Sequence, residues 1–155
     1  MITAKPGLAV HIRWHVRQDM PRVLAIEQAS SALPWTEEDF LRRLRQRNCI
    51  GMVAECDGCR IAGFMFYELH QDCLDLLNLS VHPSYRLQGI GSQLVNSLTV
   101  KLSPRRRTRL NALLPESNLP GQLFLRSQGF IADCVHRSYY SNGDDAYDFH
   151  YTAKE

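Results

Sequence analysis

Arg86-Leu87-Gln88-Gly89-Ile90-Gly91 carries the clearest chemical signature, in the stretch YRLQGIGSQL directly after the apolar run LDLLNLSVHP at residues 74–83. Glycine lacks the Cβ that keeps other residues at a distance, so two glycines at a strand-to-helix turn let backbone N–H groups approach a bound group closely. The helix that follows aims its free N–H groups and the positive end of its dipole at the same point. Such a turn is an anion cradle suited to phosphate. The same pair would also serve as a plain turn, so the rest of the chain has to decide.

Other residues that could do chemistry are scattered. His11, His15, His70, His136 and His150 show no metal-ligand spacing, and His82 stands at the end of an apolar run. Cys56-Asp57-Gly58-Cys59 has the CxxC form, but a zinc site needs a second pair, which Cys49, Cys73 and Cys134 do not make. No metal is therefore expected. Asp57-Gly58 instead reads as the two-residue turn of a β-hairpin. Arg105-Arg106-Arg107-Thr108-Arg109 is the strongest charge run; without interleaved aromatics it reads as a solvated loop, and nucleic acid is not an expected partner.

The elements that must position these residues follow from periodicity. Leu8–Val16 alternates as a first strand, Asp19 and Pro21 open a helix to about Ser31, and Thr36 opens a second helix with acids in its first turn and the basic run Arg42–Arg47 at its end. Residues 48–56 and 59–69 form a hairpin. Residues 73–82 are nearly continuously apolar, which predicts a central strand buried on both faces. A helix from Ile90 to about Leu102 leads to a strand at Arg107–Leu114, parallel to the fourth because of the helical crossover. Asn118–Gln128 is a short helix with Pro120 early and Gly129 at its end, and Phe130–Val135 with Tyr147–Thr152 closes the chain as an antiparallel pair.

The chain has 155 residues, a net charge of +2, 45% hydrophobic and 22% charged residues, as a single globular domain would, and the charge selects no partner class. Residues 1–7 read as a loose arm and 8–155 as the domain. Five cysteines without an apolar leader suggest reduced thiols in the cytoplasm, and no apolar run is long enough for a membrane span. The expected fold is α/β (α+β), a mixed sheet of about seven strands with helices on both faces in the order β-α-α-β-β-β-α-β-α-β-β.

This order and the Arg-x-x-Gly-x-Gly turn resemble the GNAT superfamily of acetyl-CoA-dependent N-acyltransferases. IEQ and PWTEEDF at 26–40, LLNLSVHPSYRLQGIGSQL at 76–94, Ser117-Asn118, RSQGF at 126–130 and HRSYY at 136–140 are similar to its RimI-like branch, which acetylates the N-terminal amine of a ribosomal protein. The resemblance implies acetyl-CoA as cosubstrate and a protein or peptide amine as acceptor, a ribosomal protein among the candidates. It implies that Leu79 and Val81 offer backbone groups to the pantetheine and the acetyl carbonyl. Leu87, Gln88, Gly89, Ile90, Gly91 and Ser92 would surround the diphosphate, and Asn118 would meet the pantetheine arm. Trp35 would form a wall of the acceptor groove, and Tyr139 and Tyr140 would lie near the peptide.

Acetyl transfer from a thioester needs a neutral amine, a donor for the developing oxyanion and a proton for the departing thiolate. The branch uses a glutamate on the fifth strand as base and a tyrosine on the following helix as acid; counted from Ser117-Asn118 and Gly129-Phe130, those positions here are Leu113 and Leu125. Glu116, three residues on, could act through water or simply cap the loop, and Tyr139 could protonate the thiolate or only bind peptide. Two other classes stay open beside the enzyme, a CoA-binding module without turnover and a ribosome-associated domain using the arginine run. A lysine or small-molecule acceptor is also compatible.

Overall fold

The computed structural model describes residues 8–154, so the arm expected at 1–7 lies outside the described residues. Seven strands and four helices appear in the expected order: β1 His11–Trp14, α1 Met20–Ser30, α2 Glu37–Leu44, β2 Cys49–Cys56, β3 Arg60–Leu69, β4 Cys73–Val81, α3 Ile90–Thr99, β5 Arg109–Pro115, α4 Leu119–Ser127, β6 Ile131–His136 and β7 Ala146–Thr152. The hydrogen-bonded order of the sheet is β1-β2-β3-β4-β5-β7-β6, which puts β4 fourth of seven. β4 pairs parallel with β5, from Cys73↔Arg109 to Leu76↔Ala112, as the helical crossover requires. No described helix is long and apolar enough to cross a membrane.

The chain groups into two compact units, one of residues up to Tyr67 with Asn78–Asn96, the other of Glu68–Leu77 with Ser97 onward. In the first, Phe40, Phe64 and Phe66 form an aromatic cluster with ring centroids 5.1–5.8 Å apart, beside buried Val23, Ile26, Ile90, Leu94 and Val95. α2 is held by a capping box: Thr36 Oγ1 accepts from Asp39 N, and Asp39 Oδ2 accepts from Thr36 N. In the second, Leu110, Ala112, Leu125, Phe130 and Phe149 are buried. β7 lies antiparallel to β5 over Arg109↔Thr152 to Pro115↔Ala146 and to β6 over Ile131↔His150 to His136↔Ala146, with a bulge at Ala132/Cys134.

Three expectations need correction. The strand buried on both faces is β3, buried without a break from Ile61 to Tyr67, whereas β4 alternates between buried Leu74, Leu76 and Ser80 and half-buried neighbours. Asp75, Asn78 and Ser80 interrupt its apolar pattern, and two of the three stand on its half-buried positions. The β2–β3 connection is three residues, Asp57–Cys59, since Cys59 takes φ +66 beside Gly58 at +69 and so leaves the strand. Asp19 precedes α1 but does not cap it: its carboxylate turns to both terminal nitrogens of Arg13 at 2.8 Å and accepts from Val16 N.

Candidate active site

In the first unit, the end of β4 and the start of α3 bracket the glycine turn. Gly63 on β3 lets the chains close up there, because a Cβ on it would stand 2.9 Å from Ser80 O. His82 N donates to Ala62 O, and Val81 O accepts from Ser30 Oγ at 3.3 Å and from Arg86 Nε at 3.4 Å, so the arginine of the turn motif fixes the strand end. A short 3-10 turn at Pro83–Tyr85 separates strand from glycines; His82 Nδ1 accepts from Ser84 N, a local capping role. Leu87 is fully exposed at φ +61 and Gly89 sits at φ +80, a conformation that strains any side-chain-bearing residue. Gly91 lies within α3 and needs no such freedom. The first intrahelical bond runs from Gln93 N to Gly89 O, so the N–H groups of Ile90 and Gly91 lack acceptors inside the helix.

Gln93 was not singled out in the sequence, yet it braces the turn. Its Nε2 donates to Leu8 O at 2.6 Å and its Oε1 accepts from Val10 N at 3.3 Å, while Leu8 N donates to Gln88 O. These bonds divert Leu8–Val10 from the first strand, which therefore begins at His11 rather than Leu8. Replacing Gln93 by leucine should lower stability by about 1–2 kcal/mol, read as a lower midpoint in thermal unfolding with amide exchange raised at Leu8 and Val10.

A second feature invisible to sequence patterning is Glu27, 1% exposed on α1. Its Oε2 accepts from Trp35 N at 3.0 Å and Asn78 Nδ2 at 2.8 Å, and its Oε1 from Ser80 Oγ at 3.2 Å. One buried carboxylate thus ties the α1–α2 loop to the β4 residues that flank Leu79, and both Leu79 and Val81 are half-buried. The Trp35 ring packs on Phe40 at 5.1 Å and Phe66 at 6.3 Å with the Arg43 guanidinium over it, anchoring the loop.

In the second unit, Asn118 caps α4, its Oδ1 accepting from Gly121 N. Glu116 is exposed, and its Oε1 accepts from Asp145 N. Leu125 is 4% exposed in the core, and Leu113 is half-buried opposite Asp148 in the β5–β7 register. Tyr139 is 56% exposed and stacks edge-on against Tyr140 at 5.1 Å. Burial, with Tyr139 and Asp144 adding to it, pushes the Tyr140 phenol up to about 12, so it keeps its proton. The His136 ring lies 6.0 Å from Tyr139, and its Nε2 is 3.3 Å from Asp148 Oδ2.

Elsewhere, Glu68, His70 and Asp75 bring one donor atom each within 4.8 Å of one another; the imidazole sits 3.1 Å from Asp75, whose other oxygen accepts from Asn111. An imidazole between two carboxylates accounts for this group. All five cysteines are free thiols. In the arginine run, Arg105 N and Arg106 N bond to Ser103, and Arg107 Nε donates to His70 O, as in a folded turn.

Residues 13–130 match the acetyltransferase (GNAT) family. The [ribosomal protein bS18]-alanine N-acetyltransferase of Escherichia coli (strain K12) is 29% identical over 126 residues, 81% of this chain and 84% of that protein. The crystal structure of the ribosomal-protein-S18-alanine N-acetyltransferase from Escherichia coli superposes with a TM-score of 0.81 at 26% identity, covering 95% of this chain and 96% of that one. Ard1 from Thermoplasma volcanium shares the fold, with a TM-score of 0.84 at 22% identity over 96% of this chain and 100% of that one. With a seven-stranded mixed sheet, a glycine turn between β4 and α3, and a family match across three quarters of its length, this chain belongs to the GNAT acetyltransferase family.

Proposed function

We propose that this chain is an acetyl-CoA-dependent N-acetyltransferase whose acceptor is a protein N-terminal α-amine, the chemistry of the bS18-alanine enzymes it resembles, and that residues 8–155 act as one acetyltransferase domain in the cytoplasm. The observation that carries the reading is the turn at Leu87–Ser92. Gly89 at φ +80 and the N–H groups of Ile90 and Gly91, which have no acceptor inside the helix, would offer a positively polarised backbone at the end of a half-buried strand. Those residues would take the diphosphate, and the Leu79 and Val81 main chain the pantetheine amides and the acetyl carbonyl. Asn118 would reach the pantetheine arm with its Nδ2, since its Oδ1 is engaged in the helix cap.

In the reaction the amine nitrogen attacks the thioester carbonyl, the C–N bond forms, the C–S bond breaks, and the thiolate leaves with one proton returned to it. A backbone N–H near Val81 would meet the oxyanion. Leu113 and Leu125 stand where the RimI-like glutamate and tyrosine would be; neither can exchange a proton. Tyr139 would then protonate the thiolate, Tyr140 and Trp35 would bind the acceptor, and Glu116 would hold the loop through Asp145.

An α-amine is about one-tenth neutral at pH 7, a lysine amine only about once in 2,500. A site with weak base catalysis should therefore favour α-amines. With acetyl-CoA and an alanine-initiated peptide at pH 7, N-terminal acetylation should exceed acetylation of a lysine in the same peptide by about 250-fold, quantified by tandem mass spectrometry. Equal or preferred lysine modification would assign a different acceptor class, and no transfer at all would leave a cofactor-binding module.

A further inference from the structure

Alternation along β4 leaves the main chain of Leu79 and Val81 open on one side. His82 N donates to Ala62 O on β3, and in an antiparallel pair every second residue turns both its N–H and its C=O to the same neighbour. Leu79 and Val81 therefore face the opposite edge. There the register with β5 runs only from Cys73↔Arg109 to Leu76↔Ala112, so among the described residues their main chain has no strand partner. An extended group can lie along such an edge as an added strand. Asn78 and Ser80 project from the face opposite to Leu79 and Val81, and Glu27 of α1 receives both side chains. Ser30, one turn further along α1, donates from its Oγ to Val81 O.

The Glu27 carboxylate joins this strand end to the α1–α2 loop through a single atom. Oε2 accepts from Trp35 N at 3.0 Å and from Asn78 Nδ2 at 2.8 Å, while Oε1 accepts from Ser80 Oγ at 3.2 Å. These residues and the glycine turn all belong to the first unit. Two further bonds of the loop are local, Ser31 N to Glu27 O and Leu33 N to Ser31 Oγ. The bond to Oε2 is what ties the Trp35 main chain to β4. The fold has no need of such a network: removing one partner of a buried hydrogen bond is costly, but replacing the partners together by apolar groups of similar shape can be nearly neutral.

We infer that Glu27 is a positioning residue for acetyl transfer: it sets the distance between an acceptor held at the Trp35 loop and a thioester lying along the open edge of β4. The inference rests on the acetyltransferase reading above. Glu27 acts through Trp35, Asn78 and Ser80 and exchanges no proton with either reactant. Its effect is on alignment, where a displacement of about 1 Å can cost about a hundredfold in rate.

Glu27→Gln can rebuild all three bonds, its amide oxygen accepting from Trp35 N and Asn78 Nδ2 and its NH2 group donating to the Ser80 hydroxyl. Glu27→Met has a similar length and rebuilds none. With acetyl-CoA and the alanine-initiated peptide, Glu27→Gln should keep kcat within about threefold of wild type and Glu27→Met should lower it about 30-fold, with KM for acetyl-CoA and the acetyl-CoA thermal shift changed by less than about twofold. Glu27→Met will also melt lower, so the triple variant Glu27→Met, Asn78→Leu, Ser80→Ala separates alignment from stability. Removing the strand partners as well should return most of the lost melting temperature, while kcat stays low and amide exchange at Trp35 stays raised. A triple variant whose kcat recovers with its stability makes Glu27 purely structural and overturns the inference, and so does a Glu27→Gln as slow as Glu27→Met. A wild type that turns over while Glu27→Met matches its kcat overturns the inference alone. A wild type that acetylates no amine overturns the acetyltransferase reading and the inference with it.

Discussion

Gly89→Val should abolish detectable acetyl-CoA binding in a protein that still folds. Gly89 occupies φ +80, where a β-branched residue is strained by about 1–3 kcal/mol. A modest loss of stability is therefore expected whatever the turn does. The second effect is specific to the proposed site: a Cβ with two methyl groups would stand among the backbone N–H groups proposed to hold the diphosphate and block its approach. Affinity should fall at least a hundredfold, about 2.7 kcal/mol. Wild-type protein with acetyl-CoA at a hundred times its dissociation constant should gain about 2.7 kcal/mol, roughly 5–10 °C in melting temperature. The variant should show no shift. Gly58→Val separates strain from blockade, because Gly58 at φ +69 carries the same backbone penalty with nothing within 4 Å of an added Cβ. It should melt lower yet keep the full ligand shift. Equal shifts in wild type and Gly89→Val would move the diphosphate elsewhere.

The contrast between Gly89 and Gly91 shows what a sequence can and cannot reveal here. Both glycines mark the turn, but only coordinates show that Gly89 alone needs a left-handed conformation and that Leu87 shares it without being glycine. The order of all eleven elements was legible because period, caps and Asp-Gly or Gly-terminated turns are local. Ends were less so. The first strand loses Leu8–Val10 to Gln88 and Gln93, residues some eighty positions away. The fifth starts at Arg109 because Thr108 N bonds to Asp72 O and Arg107 to His70 O. The candidate site divides the same way. The turn proposed to hold the diphosphate is a contiguous motif, whereas Glu27 meets partners at 35, 78 and 80, and His136 meets Asp148 across a bulged ladder. Long-range polar pairing leaves no period or spacing to read, so a carboxylate on a helix looks solvated until the fold closes over it.

Asp19 makes that point in stability, and its replacement by alanine should be among the most damaging single changes in the first unit. The side chain is 7% exposed and accepts three bonds at 2.8 Å, two from the Arg13 fork and one from Val16 N, while Arg13 Nε also meets Glu55 Oε1 at 2.6 Å. The fork spans β1, β2 and the approach to α1, so losing the carboxylate strands three donors, two guanidinium nitrogens and Val16 N, and leaves the charged guanidinium with Glu55 and the Trp14 carbonyl. Removing one member of a buried pair costs about 3–5 kcal/mol, and with Arg13 still 28% exposed the lower end, about 3 kcal/mol, is expected. The Arg13 guanidinium, aided by the Val16 N–H and working against burial, holds the Asp19 carboxyl below the usual carboxylate range, and the same contacts raise Arg13. A carboxylate depressed in the folded state contributes stability that is full above its unfolded value of about 3.9 and is lost as pH falls through the folded value. Denaturant titrations from pH 7 down to pH 2 should therefore show wild type losing its margin over Asp19→Ala below about pH 4. A margin unchanged down to pH 2, or a variant as stable as wild type at pH 7, would mean that Glu55 and the Trp14 carbonyl hold the fork without Asp19. The expected convergence would instead make the Arg13–Asp19 bond the acid-sensitive joint between β1 and α1.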